Sequence, residues 1–487
     1  MVDQRIGSYM SWQGLSMLMQ AMTQLGVMAL LARFLSAEDF GLVAAANIAI
    51  TLVQMIAEGG ISSAIVQRPL IDRTFIGSAI SVSLIVGAIC YLALVAMAFP
   101  FQYFYGMENL GLVVLVLGGS SLLTGMSSVL EGLLQRELRF DQLFRVNFAS
   151  WGPGFAVPAI ILAVAGAGVW AIVIATLVRA GTKLIMLAWQ CNGSLRPRWQ
   201  AAAVRDLLHF GFGLTQDRFW NWSAAQVVPF AIGYLFGQEK LGQFYVANQL
   251  AVLPAQHLSS IVSVVYFPIL SRALGENKAI IGQFFSALTT LLVAVTALGL
   301  ILALNAAFAI SIVLGEGWGD AVAPFAVLCL GAGIRSGIQL CDSLNIARGA
   351  VYALANRRAI TAGVMLAVMY LARDTGLAGA AWGIIIGNSV MLILTVVLAV
   401  TGLRVDRVTR WLFLKRTILA LGLIVTVDVA VLYLREASNL SGVMLLTVSM
   451  AANTILVIPV ALILLDRVRL LVRQRAGIHT PRKGASQ

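Results

Sequence analysis

The chain has 487 residues, of which 60% are hydrophobic and only 11% charged, with a mean hydropathy of +0.91. A water-soluble domain carries about 25% charged residues, so the composition excludes one and describes an integral membrane protein. Lys and Arg number 33 against 21 acids, a formal charge of +12; in a membrane protein that excess bears first on topology, and no nucleic-acid partner is expected.

Apolar runs of spanning length lie at roughly 10–33, 41–66, 75–99, 110–133, 146–166, 168–190, 208–236, 242–268, 279–308, 321–346, 359–372, 378–402, 414–434 and 441–465. A bilayer crossing needs about 20 apolar residues. The fold class expected is therefore an all-α polytopic membrane protein of about 14 transmembrane helices. The first run carries Gln13, Gln20 and Gln24 and ends in ARFL, so it reads as a helix rather than a cleavable signal. Cys90, Cys191, Cys329 and Cys341 have no metal-ligand spacing and are expected to pack.

With the N-terminus in the cytoplasm, the segments 1–9, 67–74, 134–145, 191–207, 269–278, 347–358, 403–416 and 466–487 share that side and hold 25 of the 33 Lys and Arg. The opposite side holds Arg33, Lys240, Arg373 and Arg435. Such a bias places both termini in the cytoplasm.

The chain also repeats itself. Phe40-Gly41 precedes Asn47 as Leu241-Gly242 precedes Asn248, and AGAGVWAIVI around Trp170 matches LAGAAWGIII around Trp382. These matches predict two pseudo-symmetric six-helix lobes in the same orientation, 1–202 and 203–402. Two further helices (403–465) and a basic cytoplasmic tail (466–487) follow. Parallel repeats are a transporter architecture with the substrate path between halves.

Polar residues at helical spacing mark wet faces. The first span carries Gln13, Ser16, Gln20 and Gln24, and the second Asn47, Thr51, Gln54 and Glu58. The seventh offers Asp217, Arg218, Asn221, Trp222 and Gln226, and the eighth Asn248, Gln249, Gln256, His257 and Ser260. Any one of these is equally well explained as interhelical glue, often worth less than about 1 kcal/mol. Four stripes on repeat-related spans point instead to a shared cavity. Asp217 and Arg218 would sit near mid-bilayer, where a lone charge costs roughly 2.5–3.5 kcal/mol and so faces a bundle interior or water; a purely structural ion pair is the alternative.

The cavity set is Gln20, Gln24, Asn47, Gln54, Asp217, Arg218, Asn221, Trp222, Asn248 and Gln249, with Glu58 as the acid suited to proton coupling. Secondary polar faces are Thr124, Ser128, Glu131 and Gln135, and Arg335, Gln339 and Asp342, which can pair among themselves. Arg179 and Lys183, one turn apart, can bind an anion or reach to the surface. Trp151, Trp189 and Trp411 read as interface anchors, and Asp428 as a solvated outer residue. No nucleotide-binding lysine loop, nucleophile elbow or metal motif occurs, so neither a cofactor nor a metal is expected. The chain reads as a transporter without its own ATPase.

ARFLSAEDFGLVAAAN, EGGISSAIVQR, GLLQRELRFDQLFRVN and VLGEGWGDAVAPFAVLCL resemble Wzx-type oligosaccharide flippases. These are the polysaccharide-transporter branch of the multidrug/oligosaccharidyl-lipid/polysaccharide exporter superfamily. The resemblance implies two lobes around a central cavity in the bacterial inner membrane. The implied substrate is an undecaprenyl-diphosphate-linked oligosaccharide, flipped for exopolysaccharide, capsule or O-antigen assembly. Membrane lipid and the polymerase and export components of the same pathway are the partners implied. A MATE-like drug/cation antiporter and a membrane glycan polymerase or ligase are the alternatives.

Overall fold

The computed structural model of the protein describes residues 2–402, apart from 59, 69–70, 192–196, 274–277 and 349, together with Lys415. The side chains of residues 2–13, 208–217 and 257–283, and of a few shorter stretches, are outside that description. The expected helices 13 and 14, the tail, Trp411 and Asp428 therefore lie outside the described residues, as do the side chains of Gln13, Asp217, His257 and Ser260.

Every regular element among the described residues is helical. The first group is α1 (Val2–Phe34), α2 (Ala37–Glu58), α3 (Ile61–Gln67), α4 (Arg73–Tyr105), α5 (Leu110–Arg136), α6 (Phe140–Trp151), α7 (Val157–Val164) and α8 (Val169–Gln190). A π-helical turn, Gly152–Ala156, joins α6 to α7. Pro153 and Pro158 cannot donate backbone hydrogen bonds, and their rings crowd the preceding turn, which is why the expected fifth span is not a regular helix.

The second group is α9 (Ala201–Ala273), α10 (Lys278–Leu304), α11 (Ala306–Leu314), α12 (Gly319–Leu330), α13 (Ala332–Ala347), α14 (Val351–Leu371) and α15 (Leu377–Gly402). The expected seventh and eighth spans are one element, α9, divided only at Gly237, whose φ of 83° suits glycine. The expected tenth span is the pair α12 and α13, bent by 46°. Among the described residues eight helices are long and apolar enough to cross a membrane, or nine with that bent pair counted as one.

Where the two groups touch decides the shape of the site. One large core draws on α1, α2, α4, α5, α8, α9, α11 and α12 together: Phe40, Leu110, Val173, Phe244, Leu314 and Trp318 all belong to it. Toward the other end the packing divides into smaller cores. Phe284, Leu288, Leu340 and Ala399 form one within the second group. Leu130, Leu134, Val146 and Leu187 form another within the first. A third still joins the groups, with Ile61, Phe75 and Val129 against Ala203, Val204 and Leu207 at the start of α9. The groups are thus fused most broadly at the end that carries residues 34–40, 105–110, 236–243 and 315–320.

Polar contacts at that end cross between the groups. Trp318 Nε1 donates to the Ala32 carbonyl at 3.1 Å, Gln238 Nε2 to the Glu38 carbonyl at 2.9 Å, and Arg33 Nη2 to the Ile312 carbonyl at 3.2 Å. The Tyr105 hydroxyl donates to the Phe230 carbonyl at 3.2 Å within an aromatic cluster that includes Phe104 and Tyr234. The SAED motif supplies the start of α2. Ser36 Oγ accepts from the Asp39 backbone N–H and Asp39 Oδ2 from that of Ser36, a reciprocal cap. Asp39 Oδ1 also accepts from Val169 N at 2.9 Å, so one carboxylate caps both α2 and α8.

Candidate functional site

Beneath the fused end, α1, α2, α5, the π turn, α8 and the second arm of α9 border an open cavity of about 190 Å³. Its polar lining is Gln24, Asn47, Thr176, Arg179, Tyr245 and Gln249; Phe40, Trp151 and Phe155 add aromatic walls. Among the described residues no Asp or Glu lines it. The amphipathic stripes explain the arrangement: Gln24 on α1 and Asn47 on α2 stand on the faces turned toward α9, and Tyr245 and Gln249 are one turn apart on its second arm.

Tyr245 is the centre of the polar network. Gln249 Nε2 donates to its hydroxyl at 3.3 Å, and the Asn47 side chain lies close to the same oxygen. Arg179 stands within electrostatic reach of that hydroxyl. Its guanidinium carbon lies 4.6 Å from the centre of the Trp151 ring. An indole face steadies a cation by about 0.5–2 kcal/mol and leaves the N–H edges free to donate. Among the described residues no carboxylate lies within ion-pair distance of Arg179.

Lys183, one turn along α8, behaves differently. Its Nζ lies 2.7 Å from Glu131 Oε2 on α5. Arg218, Lys183 and Glu131 all act electrostatically on the half-buried Glu58. Two acids and two bases leave this second cluster with no net charge, so of the two α8 cations only Arg179 faces the cavity uncompensated.

The predicted residues divide accordingly. Gln24, Asn47 and Gln249 meet in the cavity. Trp222 stands beside it, donating from Nε1 to Thr51 Oγ1 at 3.0 Å and so tying the first arm of α9 to α2. Gln54 donates to Ser120 Oγ at 3.4 Å, and Asn221 is exposed. Gln20 is half-buried and Arg218 belongs to the Glu58 cluster; neither lines the cavity. Asn248 turns toward the second group, where it accepts from Arg335 Nη2 at 3.5 Å. The expected pairing of Arg335 with Asp342 is replaced: Asp342 holds Arg358 at 2.8 Å, because α14 packs against α13 there.

Trp151 was expected at the membrane interface; it lies instead under Arg179, while Trp189 is 73% exposed as an anchor would be. Tyr245 and Thr176 were absent from the expected set. Tyr245 was within reach of the pattern, since it lies one turn before Gln249 on the same stripe.

The sequence profile of the family described as "Polysaccharide biosynthesis protein" matches residues 30–323. Among relatives, the teichuronic acid biosynthesis protein TuaB of Bacillus subtilis is 26% identical over 357 residues, 72% of each chain. The lipopolysaccharide biosynthesis protein WzxC of Escherichia coli is 21% identical over 66% of each. Among solved structures, the lipid II flippase MurJ in an inward closed conformation superposes with a TM-score of 0.71 at 13% identity, covering 94% of this chain and 99% of its own. An inward-facing MATE multidrug transporter of the MOP superfamily gives 0.64 at 15% identity, covering 79% and 95%. The structural likenesses establish the fold, and the profile covers well over half the chain. The chain belongs to the polysaccharide biosynthesis protein family, and it shares its helical fold with the solved MurJ and MATE structures.

Proposed function

We propose that this protein flips polyprenyl-diphosphate-linked oligosaccharide repeat units across the bacterial inner membrane by alternating access. The observation that carries the reading is the amide-lined, acid-free cavity at the meeting of α1, α2, α8 and α9. Amides and hydroxyls both donate and accept, as sugar hydroxyls require. A drug/cation exporter would instead need carboxylates where Arg179 stands.

In this reading the lobes are residues 1–202 and 203–402, and their fused end is periplasmic, because basic residues cluster at the opposite end. The conformation is then inward-facing. Gln24, Asn47 and Gln249 hold the glycan, with Gln20, Gln54, Asn221, Trp222 and Asn248 along its path. Arg218, beside Asp217, engages the diphosphate near the cytoplasmic entrance, and Glu58 carries a coupling proton.

Inactivating the gene should abolish surface polymer and accumulate lipid-linked repeat units accessible from the cytoplasmic leaflet only. Arg218→Ala should do the same at unchanged protein level. Repeat units appearing on the periplasmic leaflet in the null strain would end the reading. Glu58→Gln should remove the dependence of transport on a pH gradient in vesicles.

A further inference from the structure

We propose that the Arg179 cavity is a subsite for a sugar carboxylate, so that the glycan carried here contains an acidic residue such as a uronic acid. This rests on the flippase reading for the identity of the ligand's carrier, but it makes a separate claim about charge and position.

The argument begins with an imbalance. Arg179 lies within an apolar bundle, and a cation there calls for an anionic or strongly dipolar partner. Neighbouring charges do not supply one: Lys183 is held by Glu131, and Glu58 shares its cluster with Arg218. What Arg179 does have is Trp151 beneath its plane and the Tyr245 hydroxyl nearby. The indole supports the guanidinium carbon without accepting a hydrogen bond in its plane, which leaves the N–H donors for a ligand. A planar edge of paired N–H donors matches a carboxylate, two bonds to two oxygens.

Charge count separates a carboxylate from the diphosphate. Among the described residues the cavity offers one uncompensated positive charge and no second cation. That balances one carboxylate and leaves a diphosphate under-neutralised. Position agrees. A diphosphate is bonded directly to the lipid and stays where the tail leaves the protein, whereas the cavity lies under the fused end, behind α1 and α2. Gln24, Asn47 and Gln249 line the same cavity, and their amides suit the hydroxyls of the same ring.

The test uses two synthetic polyprenyl-diphosphate disaccharides that differ only in the terminal sugar, glucuronic acid or glucose, in proteoliposomes of full-length protein. Wild type should flip the acidic lipid at least ten-fold faster at limiting concentration. Arg179→Gln should erase that preference by slowing the acidic lipid, with its melting temperature in detergent reporting on folding. Arg179→Lys, which keeps the charge without the fork, should fall between. Equal loss of both lipids would make Arg179 a diphosphate or structural residue and overturn the proposal, as would an unchanged preference. Binding of the lipid-free disaccharides to detergent-solubilised protein separates the two claims. Should wild type flip neither lipid yet bind the glucuronate form in an Arg179-dependent way, the flippase reading fails and the carboxylate site stands. Equal binding of both disaccharides overturns the site.

Discussion

Gly41 and Gly242 meet across the interface between the two helix groups in reciprocal fashion. A methyl group on Gly41 would strike the Gln238 carbonyl oxygen, and one on Gly242 would strike the Ala37 carbonyl oxygen. Each glycine lies four residues after the backbone its counterpart approaches, so α2 and the second arm of α9 cross backbone to backbone at the fused end. The Phe-Gly and Leu-Gly matches in the sequence are the two sides of this one contact.

Adding a methyl group at either position forces the helices apart, and overpacking of this kind costs about 1–3 kcal/mol. Gly41→Ala and Gly242→Ala should each lower the melting temperature in detergent. The double variant should cost less than the sum, because one separation relieves both collisions. The same variants should raise the reactivity of Gln249→Cys toward a membrane-impermeant thiol reagent, measured in a Cys191→Ser background. Cys90, Cys329 and Cys341 are buried and need no replacement.

The Trp222–Thr51 hydrogen bond is a second crossing, deeper in the bundle, at 3.0 Å. A net hydrogen bond of this type is worth about 0.5–1.5 kcal/mol. Trp222→Phe and Thr51→Val, combined in a double-mutant cycle read by thermal unfolding, should show a coupling energy in that range. Coupling near zero would mean that the two groups are held in place by their neighbours.

Lys183 and Glu131 are an ion pair with side chains 31% and 27% exposed. Removing one partner strands the other, at a cost of roughly 1–3 kcal/mol, between the surface and fully buried cases. Lys183→Met should therefore destabilise more than the pair Lys183→Met, Glu131→Gln, again by melting temperature. Neither variant should disturb the acidic-over-neutral preference assigned to Arg179.

Asp72 caps α4, its Oδ1 accepting from Phe75 N at 2.8 Å. That N–H holds the carboxyl below its usual range. A depressed native pKa contributes stability above the unfolded value of about 3.9 and loses it as pH falls through the native value. Asp72→Asn should melt lower than wild type at pH 7, and the difference should close as pH falls through the native carboxyl's depressed range. A difference independent of pH would assign the effect to shape rather than charge.

Much of this was legible in the sequence because membrane helices declare themselves by apolar length and by their few polar faces. Gln24, Asn47 and Gln249 were found from spacing alone and do share a cavity. Residues whose role depends on neighbours distant in sequence were not legible. Arg179 and Lys183 carry the same signal one turn apart, and only Glu131 on another helix distinguishes them. Trp151 looked like an anchor because its helix appeared to be regular up to a membrane surface. Single helical periodicity also hid the bend between α12 and α13, where a glycine-containing apolar run reads the same straight or bent.

The π turn at Gly152–Ala156 has a consequence for how this wall of the protein tolerates change. Trp151 and Phe155, at this turn, pack edge to face with ring centroids 5.6 Å apart, and both reach the cavity. In a regular helix each residue turns about 100° from the last. Winding these same residues as an ordinary helix would keep every apolar position apolar and yet swing α6 by about that angle relative to α7. The indole would leave the guanidinium it supports, so this short segment fixes the aim of a helix without any change in its composition.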